Sequence, residues 1–175
     1  MTILLIVLII IAIPFVAALF MKKNYTIERE VIINKPKQQV FDYVKFVKNQ
    51  DYYSKWQMMD PTAEKTYSGT DGTVGFSSAW KSNNKQVGQG VQTITSIIDG
   101  KRLDVAVHFI KPFEGNAGSY ITTTEASQNQ TNIKWGINGR MKYPMNIMMA
   151  FMNMEKMIGN DLQTNLDNLK KLLEK

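Results

Sequence analysis

One histidine, no cysteine and a scatter of carboxylates are what this chain offers to catalytic chemistry. His108 alternates with Val107 and Phe109, which places it on one side with Asp104 and Ile110. The apolar set of Leu103, Val105, Val107 and Phe109 takes the other side. Asp104 and His108 have the residue types of an acid–base pair. Four strand residues, however, separate them by about 13 Å, beyond direct hydrogen bonding. A Ser-His-Asp arrangement would need the same outward histidine, and one His without Cys cannot assemble a usual zinc site. The sequence therefore predicts no catalytic set, no metal site and no cofactor. The run GTDGTVG at Gly69 to Gly75 lacks the spacing of a phosphate-cradling loop and joins strands, so it reads as a turn. Arg102, Arg140, Asp60 and Glu125 are left as polar groups that could anchor a ligand, with nothing to choose among them.

Apolar chemistry is plentiful. Trp56, Met58, Phe76, Trp80, Phe109, Tyr120, Trp135, Met148, Phe151 and Met152 are expected to line a space between a sheet and a helix. Convergent apolar side chains with a few polar groups are how small-molecule pockets are built. Core packing competes with that reading for each residue singly, since a domain of this size buries roughly 70% of its unfolded surface. Seven of the eleven methionines fall between Met141 and Met157. Methionine is unbranched and polarizable and suits adaptable surfaces, so this cluster points to a cavity wall as well as to a core.

These residues need elements to hold them. Ile147, Phe151, Met154, Ile158, Leu162, Leu166, Leu169 and Leu173 recur at steps of three or four, the stripe of one long helix from Met145 to Leu173. Pro144 stands just before it, where a proline is tolerated. Gly159 interrupts the stripe and marks either close packing against a strand or room for a ligand. Upstream, Tyr25 to Asn34 alternates as a first strand, with Tyr25, Ile27, Arg29, Val31 and Ile33 on one side. Pro36 to Val47 is a short helix, and Asn49 to Trp56 a second short helix or turn. Strands follow at Val74–Lys81, Val87–Ile98, Arg102–Ile110, Ala117–Ala126 and Asn132–Met141, with a hairpin signal at Asp99–Gly100. An antiparallel sheet with helices on one side is an α+β domain.

The run EREVIINKPKQQVFDYV, the aromatic cluster ending at Trp56, the stretch GQGVQTITSIIDGKRL and the final IGNDLQTNLDNLKKLLE together resemble the SRPBCC superfamily. That superfamily includes START-type lipid-transfer domains, polyketide cyclases and Hsp90-ATPase-activator-like proteins. The resemblance covers about residues 25 to 175. It implies a helix-grip fold: a curved antiparallel sheet of six or seven strands on a long C-terminal helix, two short helices after strand 1, and an apolar cavity between sheet and helix. It brings no invariant catalytic signature.

Ile3 to Met21 carries no charge and is followed at once by Lys22 and Lys23. Nineteen helical residues reach about 28 Å, close to the ~30 Å hydrocarbon core of a bilayer. The sequence thus predicts a transmembrane anchor over 1–23 and a START-like domain over 24–175. The basic pair places that domain on the cytoplasmic face. The formal net charge of +6 is spread along the chain, which argues against a nucleic-acid partner. The expected function is a membrane-tethered binding module for a hydrophobic or amphipathic small molecule, such as a lipid. A polyketide cyclase- or dehydratase-type enzyme using the same cavity is the alternative, and a protein-interaction module a lesser one; the sequence names no protein partner.

Overall fold

The computed structural model describes residues 12–175. A helix, α1, covers 12–20 and leads directly into β1 (Asn24–Ile33). Next come α2 (Lys37–Val44), a 3-10 turn over Val47–Tyr52 and the single-turn α3 (Lys55–Met58). Six strands follow: β2 (Glu64–Ser68), β3 (Ser77–Lys81), β4 (Gln89–Ile98), β5 (Arg102–Lys111), β6 (Gly115–Ser127) and β7 (Gln130–Arg140). A 3-10 turn at Met145–Ile147, the short α4 (Met148–Phe151) and the long α5 (Met154–Leu173) close the chain.

All seven strands join one antiparallel sheet in the order β1-β7-β6-β5-β4-β3-β2. Consecutive strands are neighbours from β2 to β7, and β1 closes the far edge on β7. Gly100 takes a φ of 63° in the tight link between β4 and β5, a conformation that suits the expected Asp99–Gly100 turn. Register shifts in β4 and β6 add local bends to the sheet. β2 was not among the expected strands. Its sequence, EKTYS, is almost wholly exposed and shows no apolar alternation, so only pairing with β3 makes it a strand.

The sheet presents its apolar face to α2 and α5. Leu162, Leu166 and Leu169 of α5 are fully buried against Ile27, Ile33, Ile121, Ile133 and Trp135. A second cluster under β3 to β5 joins Phe41, Val47, Phe76, Ile94, Leu103 and Val105. This is the α+β arrangement expected, with a C-terminal helix laid across a seven-stranded antiparallel sheet.

Two expectations are corrected. The single helix from Met145 to Leu173 is broken: Met152 is extended (φ −101°, ψ 122°), and α5 restarts behind it. Asn153 provides the restart, its side-chain oxygen accepting from the Lys156 N–H at 2.8 Å. The single-pass membrane location, with its cytoplasmic-facing domain, is also overturned. Among the described residues no helix is long and apolar enough to cross a membrane. Within the expected span over 3–21, α1 ends on the domain. Ala18 is fully buried, and the Asn146 amide donates to the Ala18 carbonyl at 2.6 Å and to that of Met21 at 3.4 Å. The portion of that span on residues 3–11 lies outside the described residues.

Candidate functional site: a cavity between sheet and helices

The alternation of β4 to β7 brings one set of side chains to the concave face. Val107 and Phe109 come from β5, Ala117 and Ser119 from β6, and Trp135 and Ile137 from β7. Trp80 of β3 pairs with Gly90 of β4, and a Cβ on Gly90 would collide with the indole. The glycine therefore lets the Trp80 ring lie across the neighbouring strand and into the same space. Trp56, Gln57 and Met59 cover it from around α3, Gln50 and Ser54 from the preceding turn, and Ile158 from α5. The enclosed volume is about 270 Å³.

The aromatic walls are held by edge-on packing and by committed N–H groups. Trp56 and Trp135 meet at 6.0 Å and 87°, Trp80 and Phe109 at 6.1 Å and 79°, and Tyr53 supports Trp135 from behind at 5.9 Å. Such pairs contribute about 0.5–1.5 kcal/mol each beyond their burial. The Trp135 indole N–H donates to Ser119 Oγ at 2.8 Å, that of Trp56 to Asp161 Oδ2 at 3.1 Å, and that of Trp80 to the Val87 carbonyl at 3.1 Å. Asp161 also receives Lys55, so its charge is answered away from the cavity. Burial pushes the Tyr25 phenol up from its ordinary value, and it lines the cavity as a neutral group.

Of the residues nominated from sequence, Trp56, Trp80, Phe109 and Trp135 lie on this wall. The other six do not, and each has a physical reason. Tyr120 pairs with Gly136 in the β6–β7 register, one step out of phase with Ile121 and Trp135, so it stands on the outer face. There its hydroxyl donates to Glu28. Phe76 is buried in the second core cluster, stacked on Tyr67. Met58 is half exposed at the end of α3. Met148 and Phe151 precede the break before α5, and Met152 forms it. Phe151 is 83% exposed, and Met152 borders an open groove beside β1.

Gly159 is decided as close packing. The Arg29 guanidinium of β1 occupies the place of its missing side chain and donates to Glu155 Oε1 at 2.7 Å. His108 lies on the outer face, its Nδ1 2.7 Å from Asn116 Oδ1. Arg102 grips Asp104 there with three hydrogen bonds of 2.7–3.0 Å, and Asp60 is taken up by Ser82 and Thr62. Among the described residues no group of His, Cys, Asp or Glu is placed to hold a metal ion.

Sequence reasoning missed the polar lining: Gln50, Gln57, Gln86, Gln92, Ser54 and Ser119. One signal was readable. Gly90, Gln92 and Ile94 share the buried phase of β4, so a glutamine sits in an inward stripe.

No family model matches the sequence, and no curated protein matches it. Solved structures do. Norcoclaurine synthase from Thalictrum flavum, in complex with dopamine and hydroxybenzaldehyde, is 12% identical with a TM-score of 0.64 over 90% of each chain. The Aha1 dimer from Colwellia psychrerythraea is 14% identical, with a TM-score of 0.57 over 86% of this chain and 96% of that one. Ara h 8.0201 is 12% identical, with a TM-score of 0.55 over 86% of this chain and 97% of that one. The fold is helix-grip. At these identities the similarity shows the fold alone.

Proposed function

We propose that this domain binds a hydrophobic or amphipathic small molecule in the cavity between its sheet and its C-terminal helix. The observation that carries the reading is the cavity itself: about 270 Å³, walled by all three tryptophans of the chain and by Phe109, Val107, Ile137 and Ile158. Apolar walls with few polar groups are the usual composition of a small-molecule site. The norcoclaurine synthase structure of the same fold holds two small aromatic molecules, which supports a guest of that kind. A cyclase- or dehydratase-type enzyme would need a group that moves protons. The wall instead offers amides, hydroxyls and the Tyr25 phenol, with no carboxylate or imidazole among the described residues that line it, which favours binding over catalysis.

The test uses the full chain and the neutral probe N-phenyl-1-naphthylamine. Because every tryptophan borders the cavity, a bound probe accepts excitation energy from them, and saturable one-to-one transfer is expected. Ala117→Phe, which projects a ring into the space, should abolish it while the folded protein still melts cooperatively. Val107→Phe serves as a second plug. A parent signal that never saturates, or a folded plugged variant that binds like the parent, overturns the reading.

A further inference from the structure

We infer that the cavity is built for an uncharged guest carrying a hydrogen-bond donor and acceptor on one edge, of the carboxamide, lactam or imide class, read by Gln50 and Gln92. This deepens the binding reading above and rests on it.

Gln92 points inward from β4 and is 8% exposed; Gln50, in the turn before α3, is 6% exposed. They share one hydrogen bond, Gln92 Nε2 donating to Gln50 Oε1 at 3.1 Å. Each primary amide has two N–H donors and an oxygen with two lone pairs, so one bond leaves much of both unused. Among the described residues neither Gln50 Nε2 nor Gln92 Oε1 has a protein partner, and both side chains line the cavity. Turning both amides over gives the same inventory, with one free amino group and one free carbonyl side by side. Neither free atom is sealed away from the cavity space, so each stays open to water or to a guest, and leucine or valine would serve a plain core better at these positions. A guest presenting a complementary acceptor and donor on one edge supplies both missing bonds.

The rest of the wall narrows the class. All three indole N–H groups are already bonded to Asp161, Val87 and Ser119, so those side chains offer ring surface to a guest. Among the described residues no Lys, Arg, Asp, Glu or His is in the lining. A charged guest would lose hydration there and find no counter-charge, which selects for neutral molecules.

The full chain is titrated with three bicyclic probes of similar size, followed by tryptophan fluorescence. These are 2-quinolone, which carries a lactam edge; naphthalene, which has none; and 2-naphthoate, which is charged. 2-Quinolone should bind at least about tenfold tighter than naphthalene, because a site with buried polar groups penalises the analogue that leaves them unpaired. 2-Naphthoate should bind weakest. In Gln50→Leu and Gln92→Leu the ratio of 2-quinolone to naphthalene affinity should fall below about threefold. If naphthalene saturates and 2-quinolone is no tighter, this inference is overturned and the binding reading stands. If no probe saturates, both fall. Tightest binding of 2-naphthoate removes the neutral class, and a lactam preference that survives in both leucine variants removes these glutamines as its readers. Should a leucine variant not fold, the parent series still decides.

Discussion

The Tyr120 hydroxyl donates to Glu28 on the outer face of the sheet, and the Arg102 guanidinium lies 4.4 Å from the centre of its ring. Burial pushes the Tyr120 phenol up to about 12, and the Glu28 bond adds to the shift. That same bond, followed by attraction from Lys134, holds Glu28 below the usual carboxylate range. A raised phenol stabilises the fold below its ordinary value of 10.0, and the contribution is lost as pH rises through about 12. A depressed carboxylate stabilises the fold above its ordinary value, and the contribution is lost as pH falls through its folded one. Tyr120→Phe should therefore lower stability near neutrality by no more than about 1 kcal/mol, since the pair is solvent-screened. The gap to the parent should narrow above pH 10 and again in acid. Thermal melts from acid to alkaline pH check this, and a gap of constant size would remove the bond as its cause.

The break before α5 changes what the helix can touch. With Met152 extended and Asn153 capping, the methionine-rich stretch is separated from the helix that lies on the sheet, and Ile158 is the residue of α5 that reaches the cavity. At the next residue, Gly159 and Arg29 share a space that only one side chain can fill. Alanine in a helix is favoured over glycine by about 1 kcal/mol, but here its Cβ would displace the guanidinium. Gly159→Ala should thus gain about 1 kcal/mol when made in Arg29→Ala and gain little or nothing in the parent, a coupling that a double-mutant cycle of chemical denaturation reads directly. An equal gain in both backgrounds would show that Arg29 does not exclude the side chain.

The grip of α5 on the sheet rests on Leu162, Leu166 and Leu169, none of which is exposed. Leu166→Ala should cost about 2–5 kcal/mol, the range for a leucine removed from a filled core. Circular dichroism and tryptophan fluorescence should report one shared transition, because the helix and the Trp135 wall belong to one cluster. A loss under about 1 kcal/mol would mean that the sheet is covered some other way. Most of the element order, the Asp99–Gly100 turn and the buried leucine stripe were legible in the sequence, because local periodicity and turn chemistry are written along the chain; β2, exposed and without alternation, was not. The sequence also put Trp80, Phe109 and Trp135 on inward phases, since a strand alternates with a period of two. It could not place Tyr120, whose face depends on how β6 registers with β7. Nor could it show that Gly159 yields its space to Arg29 or that Gln50 meets Gln92, as these contacts join distant parts of the chain. Helical periodicity ran through Met152 without a sign of the break, because the stripe depends on residue type and the break on where the chain meets the sheet. Tertiary structure alone turned an apolar composition into a cavity with a polar edge.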